Sequence, residues 1–380
     1  MNIVKKNGNI LRFESYWRNN QNDKSYVDSN GKLFPFPKEE RNWTDKKQFL
    51  NRLIRICKLL KNNKKFKHKK NKDCLLCDKK NITEGEFNLN NVIWEDGLIH
   101  YIDVHNTKPS EEFIELIYNF QHDDTKSNVL NVNGTMYKIK DLKYLKLDRN
   151  QIMIMDALMS HGGYTKKYID SKNKNIYRYS EHAGLIDFNE NTVDKIIISG
   201  RTNRVDEGDE EIYLPKNMPD AFDYEYIFHT HPPTPKPGGR ANIGILYEFP
   251  SISDIFHFID HYNEGETQGS LVIAAEGLYN IRTNSLDKSK IKINEDLMYK
   301  SLTKLMQNLQ SDAIEKYGIE FSTQFFHSKI AQDFTFINGI NKLLEKHNLH
   351  IDFFPRIKDE FGNWIIDTIY LPIYVIEPIR

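Results

Sequence analysis

Apolar positions follow two rhythms along this chain, one helical and one alternating or continuous, and the two are unevenly distributed. From Asp45 to about Leu60, Phe49, Leu50, Leu53, Ile54, Cys57 and Leu60 recur at helical spacing and predict an amphipathic helix. Pro109-Ser110-Glu111-Glu112 opens a second helix, with Phe113, Ile114, Ile117 and Tyr118 facing inward and Ser110 as its N-cap. Residues 1–44 carry neither rhythm and read as loop-rich, with turn signals at Ser29-Asn30-Gly31 and Phe34-Pro35-Phe36-Pro37. Between about 150 and 285 strands alternate with helices. The strands are Ile176–Phe188, Val193–Ser199, Glu211–Leu214, Tyr224–His231 and Ser270–Arg282, and the helices run at about 149–160 and from Ser251 to about Asn263. After about 291 comes a helix carrying Leu297, Met298, Leu302, Leu305, Met306 and Leu309, then a helix over about 328–346. Two strand-like runs, Leu349–Phe354 and Trp364–Val375, follow, and this last region reads as packing with no site in it.

That order of elements predicts an α/β (α+β) class, a mixed sheet with flanking helices at 150–285, between an N-terminal region (1–125) and a C-terminal helix-and-strand extension (291–380). There is no internal repeat. Composition refines the picture only at the margins. The 53 Lys plus Arg balance 53 Asp plus Glu, so the chain exerts no bulk pull on nucleic acid or membrane, and only a local patch could do so. No stretch approaches the ~20 apolar residues that span a bilayer, so no membrane partner is expected. Met1-Asn2-Ile3-Val4-Lys5-Lys6 leads into no apolar run, which argues against a signal peptide. Three cysteines cannot build a disulfide framework, and a reducing intracellular compartment, cytoplasm or nucleus, is the expectation.

Candidate chemistry concentrates in the middle region. His229-Thr230-His231 ends the apolar run Tyr224–Phe228, and on a strand residues i and i+2 share a face, so both imidazoles can converge on one ion. Pro232 and Pro233 then stop the strand beside a loop. Pro250-Ser251-Ile252-Ser253-Asp254 opens the helix bearing Ile255, Phe258 and Ile259. Two His and one carboxylate with an open fourth position is the ligand set of a catalytic zinc site. Glu181, in the strand-like Tyr179–Ile186, is a carboxylate costly to bury without a role and supplies a candidate base. Each piece alone has a bland explanation. His-x-His at a strand end is more often incidental than a ligand pair, and Ser-x-x-Asp is also a helix-capping pattern. The order of all the pieces is far more specific than any one of them.

Glu181-x-x-Gly184-Leu185, His229-Thr230-His231-Pro232 and Ser251-x-x-Asp254 together resemble the signature of the JAMM (MPN-domain) zinc isopeptidases, over roughly residues 150–285. The resemblance implies that His229, His231 and Asp254 bind zinc, that Glu181 is the general base and that Ser251 stabilises the oxyanion. It implies cleavage of isopeptide or peptide bonds to ubiquitin or related modifiers. One departure stands out. The family usually has about seven residues between the second His and the Ser, and here 19 intervene (232–250). Pro233-Thr234-Pro235-Lys236-Pro237-Gly238-Gly239-Arg240 within them is too rich in Pro and Gly for regular structure, and reads as a lid or an occluding loop at the mouth of the site.

A second candidate site precedes this region. Cys74-x2-Cys77 followed by His100 and His105 offers four ligands suited to a closed, structural zinc, which would hold together a region with little core of its own. Alternatively these are two reduced thiols and two surface imidazoles. Lys58, Lys61, Lys64, Lys65, Lys67, Lys69, Lys70 and Lys72 form a basic run that reads as a solvated linker, with nucleic acid as the weaker expectation because only Phe66 interrupts the lysines. His257 and His261, one turn apart after Asp254, read as partly exposed helix positions, with a supporting role at the metal as the lesser alternative. The leading expectation is therefore a zinc hydrolase of isopeptide or peptide bonds. Two others stand beside it: a catalytically silent MPN scaffold in a multiprotein assembly, a viral one among the options, and a zinc-bearing nucleic-acid or virion-associated protein in which the hydrolase domain is auxiliary. A virus-encoded protein of the same compartment is a further option.

Overall fold

A computed structural model describes residues 1–6, 8–41, 43–120, 129–132, 135–161, 179–189, 192–198, 203–205, 224–233, 239–284 and 290–378. The strand expected at Glu211–Leu214, the first three residues of the expected Ile176–Phe188 strand and residues 234–238 of the long insert lie outside them. The chain divides into two compact units, Met1–Asp124 and Thr125–Arg380.

The first unit holds a five-stranded sheet in a region read from sequence as mostly loop and linker. Its strands are β1 (Asn2–Lys6), β2 (Asn9–Glu14), β3 (Phe66–Lys72), β4 (Thr83–Leu89) and β5 (Val92–Glu95), in the order β1-β2-β5-β4-β3. The strands are short and their polar faces charged, so the alternation is hard to see. Only β4 shows it cleanly, with Thr83, Gly85, Phe87 and Leu89 buried and the residues between them more exposed. On one face lies α1 (Lys46–Asn62), as the periodicity predicts, although its buried stripe is Phe49, Leu53, Ile56, Cys57 and Leu60. Ile54, expected inward, is 45% exposed, because the seam it was assigned to continues through Ile56 instead. Phe49 packs on Phe113 and Tyr118 of α3 (Glu111–Tyr118), and Trp94 stacks on Phe87. Each fully buried ring contributes roughly 1.5–3 kcal/mol of transfer free energy. Ser110 caps α3 as expected, its Oγ accepting the Phe113 N–H at 3.4 Å. Between β5 and α3 lies α2 (Leu98–His105).

The second unit is a layered α+β arrangement. It contains β6 (Val129–Val132), β7 (Thr135–Leu147), α4 (Arg149–His161), β8 (Tyr179–Glu181), β9 (Ala183–Asn189), β10 (Thr192–Ile198), β11 (Asn203–Val205), β12 (Tyr226–Thr230) and α5 (Ile252–Glu264). It continues with β13 (Gly269–Ile273), β14 (Gly277–Thr283), α6 (Glu295–Tyr317), the short α7 (Thr323–Phe325), α8 (Thr335–Leu344), β15 (Leu349–Pro355), β16 (Ile357–Lys358), β17 (Trp364–Ile365) and β18 (Ile369–Pro378). The central mixed sheet runs β10-β9-β12-β13-β14-β15, with β12 and β13 parallel and joined across α5. Strand parity sorts its side chains. Val272, Tyr279, Ile281, Ile351 and Phe353 face α5, α6 and α8, while Phe228, Leu271, Ile273, Leu278 and Phe354 pack with α4 and the β18-β7-β6 sheet.

Two sequence boundaries move. The residues after 291 are no separate extension: β15 pairs with β14 through seven residues, β18 pairs with β7, and α6 and α8 close the core over α5. Each of these elements exposes an apolar face that only its partner covers. The expected Trp364–Val375 strand is likewise two, a hairpin arm and the long β18.

Candidate metal centre

The sequence places His229 and His231 two residues apart, and β12 turns that spacing into a shared direction. Tyr226 and Phe228 point into the α4 core, so the odd-numbered positions face α5, and α5 presents Asp254 in its first turn. His229 Nε2 lies 3.1 Å from His231 Nε2 and 3.1 Å from Asp254 Oδ1, and His231 Nε2 lies 3.3 Å from Asp254 Oδ2. A proton between any two of these atoms satisfies one edge of the triangle and leaves the others facing lone pair to lone pair. One cation at the centre satisfies all three. Ligands about 2.0–2.2 Å from a tetrahedral ion lie ~3.3 Å apart, close to the spacing found here. The donor set therefore fits a divalent metal.

The surroundings fix the ligands. His231 Nδ1–H donates to the Glu248 carbonyl at 2.9 Å, which leaves Nε2 as the lone-pair nitrogen aimed at the cluster. Burial opposes the charge of Asp254, but the His229 and His231 imidazoles more than offset it and hold the carboxyl well below its ordinary range. Burial likewise opposes the His231 cation, and the facing Asp254 carboxylate overrides it, raising that imidazole to about 10 in the metal-free arrangement. Ser251 is both motif residue and N-cap. Its Oγ accepts the Asp254 N–H at 3.2 Å while Asp254 Oδ2 accepts the Ser251 N–H at 2.5 Å, a reciprocal capping box. The capping and ligand readings of Ser-x-x-Asp thus coexist in one side chain. The Ser251 hydroxyl, accepting one bond, keeps its own proton to donate.

Glu181 ends β8, 4% exposed, and among the described residues its Oε2 has no hydrogen-bond partner. Desolvation raises its pKa, with the charges of His231 and His229 acting the other way. An orphaned buried carboxylate oxygen within the field of the cluster is what a proton carrier there requires. The chain kinks between β8 and β9, where His182 N–H donates to Thr230 Oγ1 at 3.0 Å and the His182 carbonyl accepts the Thr230 N–H at 2.9 Å. This registers Glu181 against the end of β12. Gly184 is needed beside it, since a Cβ there would stand 2.2 Å from the Ile197 carbonyl oxygen and 2.3 Å from the Phe228 ring.

The insert between His231 and Ser251 is anchored in its second half. Gly239–Ile243 form a 3-10 turn, and Ala241, Leu246 and Tyr247 are buried, with Tyr247 stacked on Phe336 of α8. Residues 239–250 are therefore a wall of the site, while most of the Pro- and Gly-rich stretch expected as a lid or occluding loop lies outside the described residues. Gln310 of α6 clamps them: its Oε1 accepts Leu246 N–H at 2.8 Å and Tyr247 N–H at 3.1 Å, and its Nε2 donates to the Tyr247 carbonyl at 2.9 Å. The next residue supplies the carbonyl that orients His231. Sequence reading missed Gln310 by treating the region after 291 as packing alone, yet a signal was present. It is the one amide in the buried stripe Met298, Leu302, Met306, Gln310 and Ala313. Glu276, also missed, is fully buried in the turn after β13. Tyr279 donates to its Oε1 at 2.7 Å, Oε2 has no partner among the described residues, and desolvation raises its pKa to about 7.

In the first unit, Cys74, Cys77, His100 and His105 also converge, with all ligand atoms within 4.8 Å of one another. Cys74 Sγ is 3.3 Å from His105 Nε2, and Cys77 Sγ is 3.4 Å from His100 Nε2. The Leu76 N–H donates to Cys74 Sγ at 3.4 Å and the Cys74 N–H to the Lys79 carbonyl at 3.0 Å, so the cysteine loop folds around the thiols. His105 Nδ1–H donates to Glu39 at 2.9 Å, presenting Nε2 to the thiols. This set too fits a metal.

No family model matches the chain, and no solved structure matches it. An uncharacterized protein of Acanthamoeba polyphaga mimivirus is 33% identical over 307 residues, covering 79% of this chain and 84% of the relative. The chain belongs to that protein's family. The shared segment is longer than the second unit alone, so it takes in more than the residues around the His229 cluster. Among the described residues no helix is long and apolar enough to cross a membrane.

Proposed function

We propose that the second unit is a zinc-dependent hydrolase of isopeptide or peptide bonds, of the JAMM type, with His229, His231 and Asp254 as the metal ligands. The observation that carries this reading is the triangle of two imidazoles and one carboxylate 3.1–3.3 Å apart, with the buried Glu181 carboxylate in its field, its Oε2 without a partner among the described residues. Three protein ligands leave a fourth position open, which separates a catalytic from a structural site. When bound, zinc polarises a carbonyl and acidifies water.

The chain's own residues do the rest. Glu181, its basicity increased by burial, takes a proton from the attacking water and delivers it to the departing amine. Ser251 donates its free hydroxyl hydrogen to the developing oxyanion while its lone pair stays with the Asp254 N–H. Glu248, through its carbonyl, prevents His231 from turning out of line. The Cys74, Cys77, His100 and His105 set, with four ligands and no open position, is proposed as a structural zinc that stabilises the first unit. The substrate class is a protein carrying a ubiquitin-like or other peptide-linked modifier.

The test is elemental analysis of the purified chain together with turnover of ubiquitin-like conjugates. Two zinc ions per chain are expected, one lost in His229→Ala/His231→Ala and the other in Cys74→Ser/Cys77→Ser. Glu181→Gln should keep both ions and lose turnover. Full activity in Glu181→Gln, or activity indifferent to the loss of His229 and His231, overturns the proposal.

A further inference from the structure

The chain is electrically neutral overall, yet residues 58–72 hold eight lysines and no acid. This run is structured. The last turn of α1 closes in a Schellman arrangement, with Lys65 N–H donating to the Leu60 carbonyl at 2.9 Å and Lys64 N–H to the Lys61 carbonyl at 3.2 Å. Lys64 takes the left-handed position there, at φ 56°. The chain then reverses into β3, so helix end, turn and strand form one unit on which all eight lysines are exposed.

Local acids compensate only three of them. Lys61 lies 3.9 Å from Asp96, Lys69 3.0 Å from Glu86 and Lys72 2.5 Å from Glu95. The side-chain ammonium groups of Lys58, Lys64, Lys65, Lys67 and Lys70 have no ion pair or hydrogen bond among the described residues. Because β3 ends its sheet, lysines on it also discourage edge-to-edge aggregation, and that accounts for Lys67 and Lys70. It does not account for Lys58, Lys64 and Lys65, which lie on the helix end and turn.

The apolar content of this face decides between partners. Phe66 is turned inward, its ring 4.8 Å from that of Phe87 and covered by the Lys61 ammonium at 4.4 Å. Apart from the exposed His68 imidazole, set edge-on to Phe66, the face offers no ring on which bases could stack, and Ile54 is its one exposed large apolar side chain among the described residues, too little to hold it in a lipid surface. What remains is an array of mobile ammonium groups on a rigid support, which matches phosphates spaced along a backbone.

We infer that the α1–β3 face binds the phosphate backbone of duplex nucleic acid, without reading base sequence. This does not rest on the hydrolase reading, because Glu181 and the His229 cluster belong to the other unit.

The experiment measures binding of the full-length, zinc-loaded chain to a labelled 30-base-pair duplex of arbitrary sequence by fluorescence anisotropy between 50 and 200 mM NaCl. If all five lysines meet phosphates, log K falls against log salt with a slope of about −4.5, roughly a 500-fold loss across that range. A second, unrelated duplex should bind equally. Changing Lys58, Lys64, Lys65, Lys67 and Lys70 together to Gln should abolish binding with zinc content intact. The same charge change at Lys292, Lys300, Lys304, Lys342 and Lys346 should leave it in place, as should Glu181→Gln. Equal loss in both quintuple variants overturns the assignment, because net charge and no particular face would then be responsible. So does absence of binding at 50 mM salt, or tighter lysine-dependent binding to phosphatidylserine vesicles than to the duplex.

Discussion

The two ligand clusters differ in what they leave unsatisfied. Around Cys74, Cys77, His100 and His105 every group points inward or to a neighbour: a thiol for each imidazole, an N–H on one sulfur, Glu39 on His105. Around His229, His231 and Asp254 the arrangement stops one ligand short, and the Glu181 and Glu276 carboxyls are buried nearby, each with an oxygen that has no partner among the described residues. The first has the economy of a staple. The second carries desolvated acid that burial disfavours in its charged form, which is where chemistry is expected.

The sharpest way to break this contrast is to remove each metal set in turn. Cys74→Ser/Cys77→Ser should unfold the first unit, since structural zinc contributes on the order of 10–16 kcal/mol of apparent binding free energy in small modules. Far-UV circular dichroism and the melting profile should show one transition lost. His229→Ala/His231→Ala should leave both transitions, because α5 and β12 are held by the sheet and the core around Phe258 and Tyr279. If the histidine variant unfolds more than the cysteine variant, the staple and the reactive site have been assigned the wrong way round.

The next effect is kinetic. Glu181→Gln should lower turnover about 10²–10⁴-fold, the usual contribution of a positioned general base. It should also raise the melting temperature slightly, because a neutral amide replaces a carboxylate that desolvation destabilises. A variant that is slower and also less stable would recast Glu181 as a structural residue.

Why these two clusters were legible while their supports were not follows from chain separation. His229 and His231 are one strand repeat apart, Ser251 and Asp254 share a helix turn, and Cys74 and Cys77 share a loop, so local geometry announces each pair. Glu248 acts through a backbone carbonyl, which no sequence pattern marks. Gln310 lies more than sixty residues from the segment it clamps. The first sheet was hidden for another reason. As an edge strand, β3 has no hydrophobic period, and the Asn7-Gly8 turn signal between β1 and β2, with Gly8 at φ 78°, was obscured by Lys5 and Lys6 before it and Asn9 after it.

A pH experiment probes the buried acid directly. Glu276 has a folded pKa of about 7, above the ordinary 4.5, because it is desolvated. The folded state therefore holds a proton the unfolded chain has released. The associated stability is fully present below pH 4.5 and is lost as pH rises through 7, about 3 kcal/mol in all. Urea midpoints at pH 5 and pH 8 should diverge for the wild type more than for Glu276→Gln. Parallel pH profiles would mean that the carboxyl is solvated. The metal-free site has a second window, since His231 at about 10 contributes stability that is complete below pH 6.5 and lost as pH rises through 10.

Gln310→Met tests whether the α6 clamp reaches the metal. It preserves volume while removing three hydrogen bonds to residues 246 and 247. Metal affinity at the His229 cluster should fall about 10–100-fold, the usual cost of losing the groups that orient a ligand. Competition against a fluorescent zinc chelator reads this out, and the Cys74 cluster in the same molecule serves as the internal control. Loss of metal from both clusters would show a general loosening of the fold and remove Gln310 from any account of the site.

The smallest stability effect separates the two duties of Ser251. As N-cap it accepts the Asp254 N–H, so Ser251→Ala should cost about 1 kcal/mol. As oxyanion donor it should cost about 10²–10³-fold in kcat with little change in KM, because that bond forms only as the carbonyl becomes tetrahedral. Ser251→Asp keeps an N-cap acceptor but has no hydrogen to donate, so it should recover stability and not turnover. If it recovers both, the hydroxyl is a cap alone and the oxyanion must be met elsewhere. If it recovers neither, the Asp254 carboxylate has been displaced by its new neighbour, which zinc content in the same sample would register as loss of one ion.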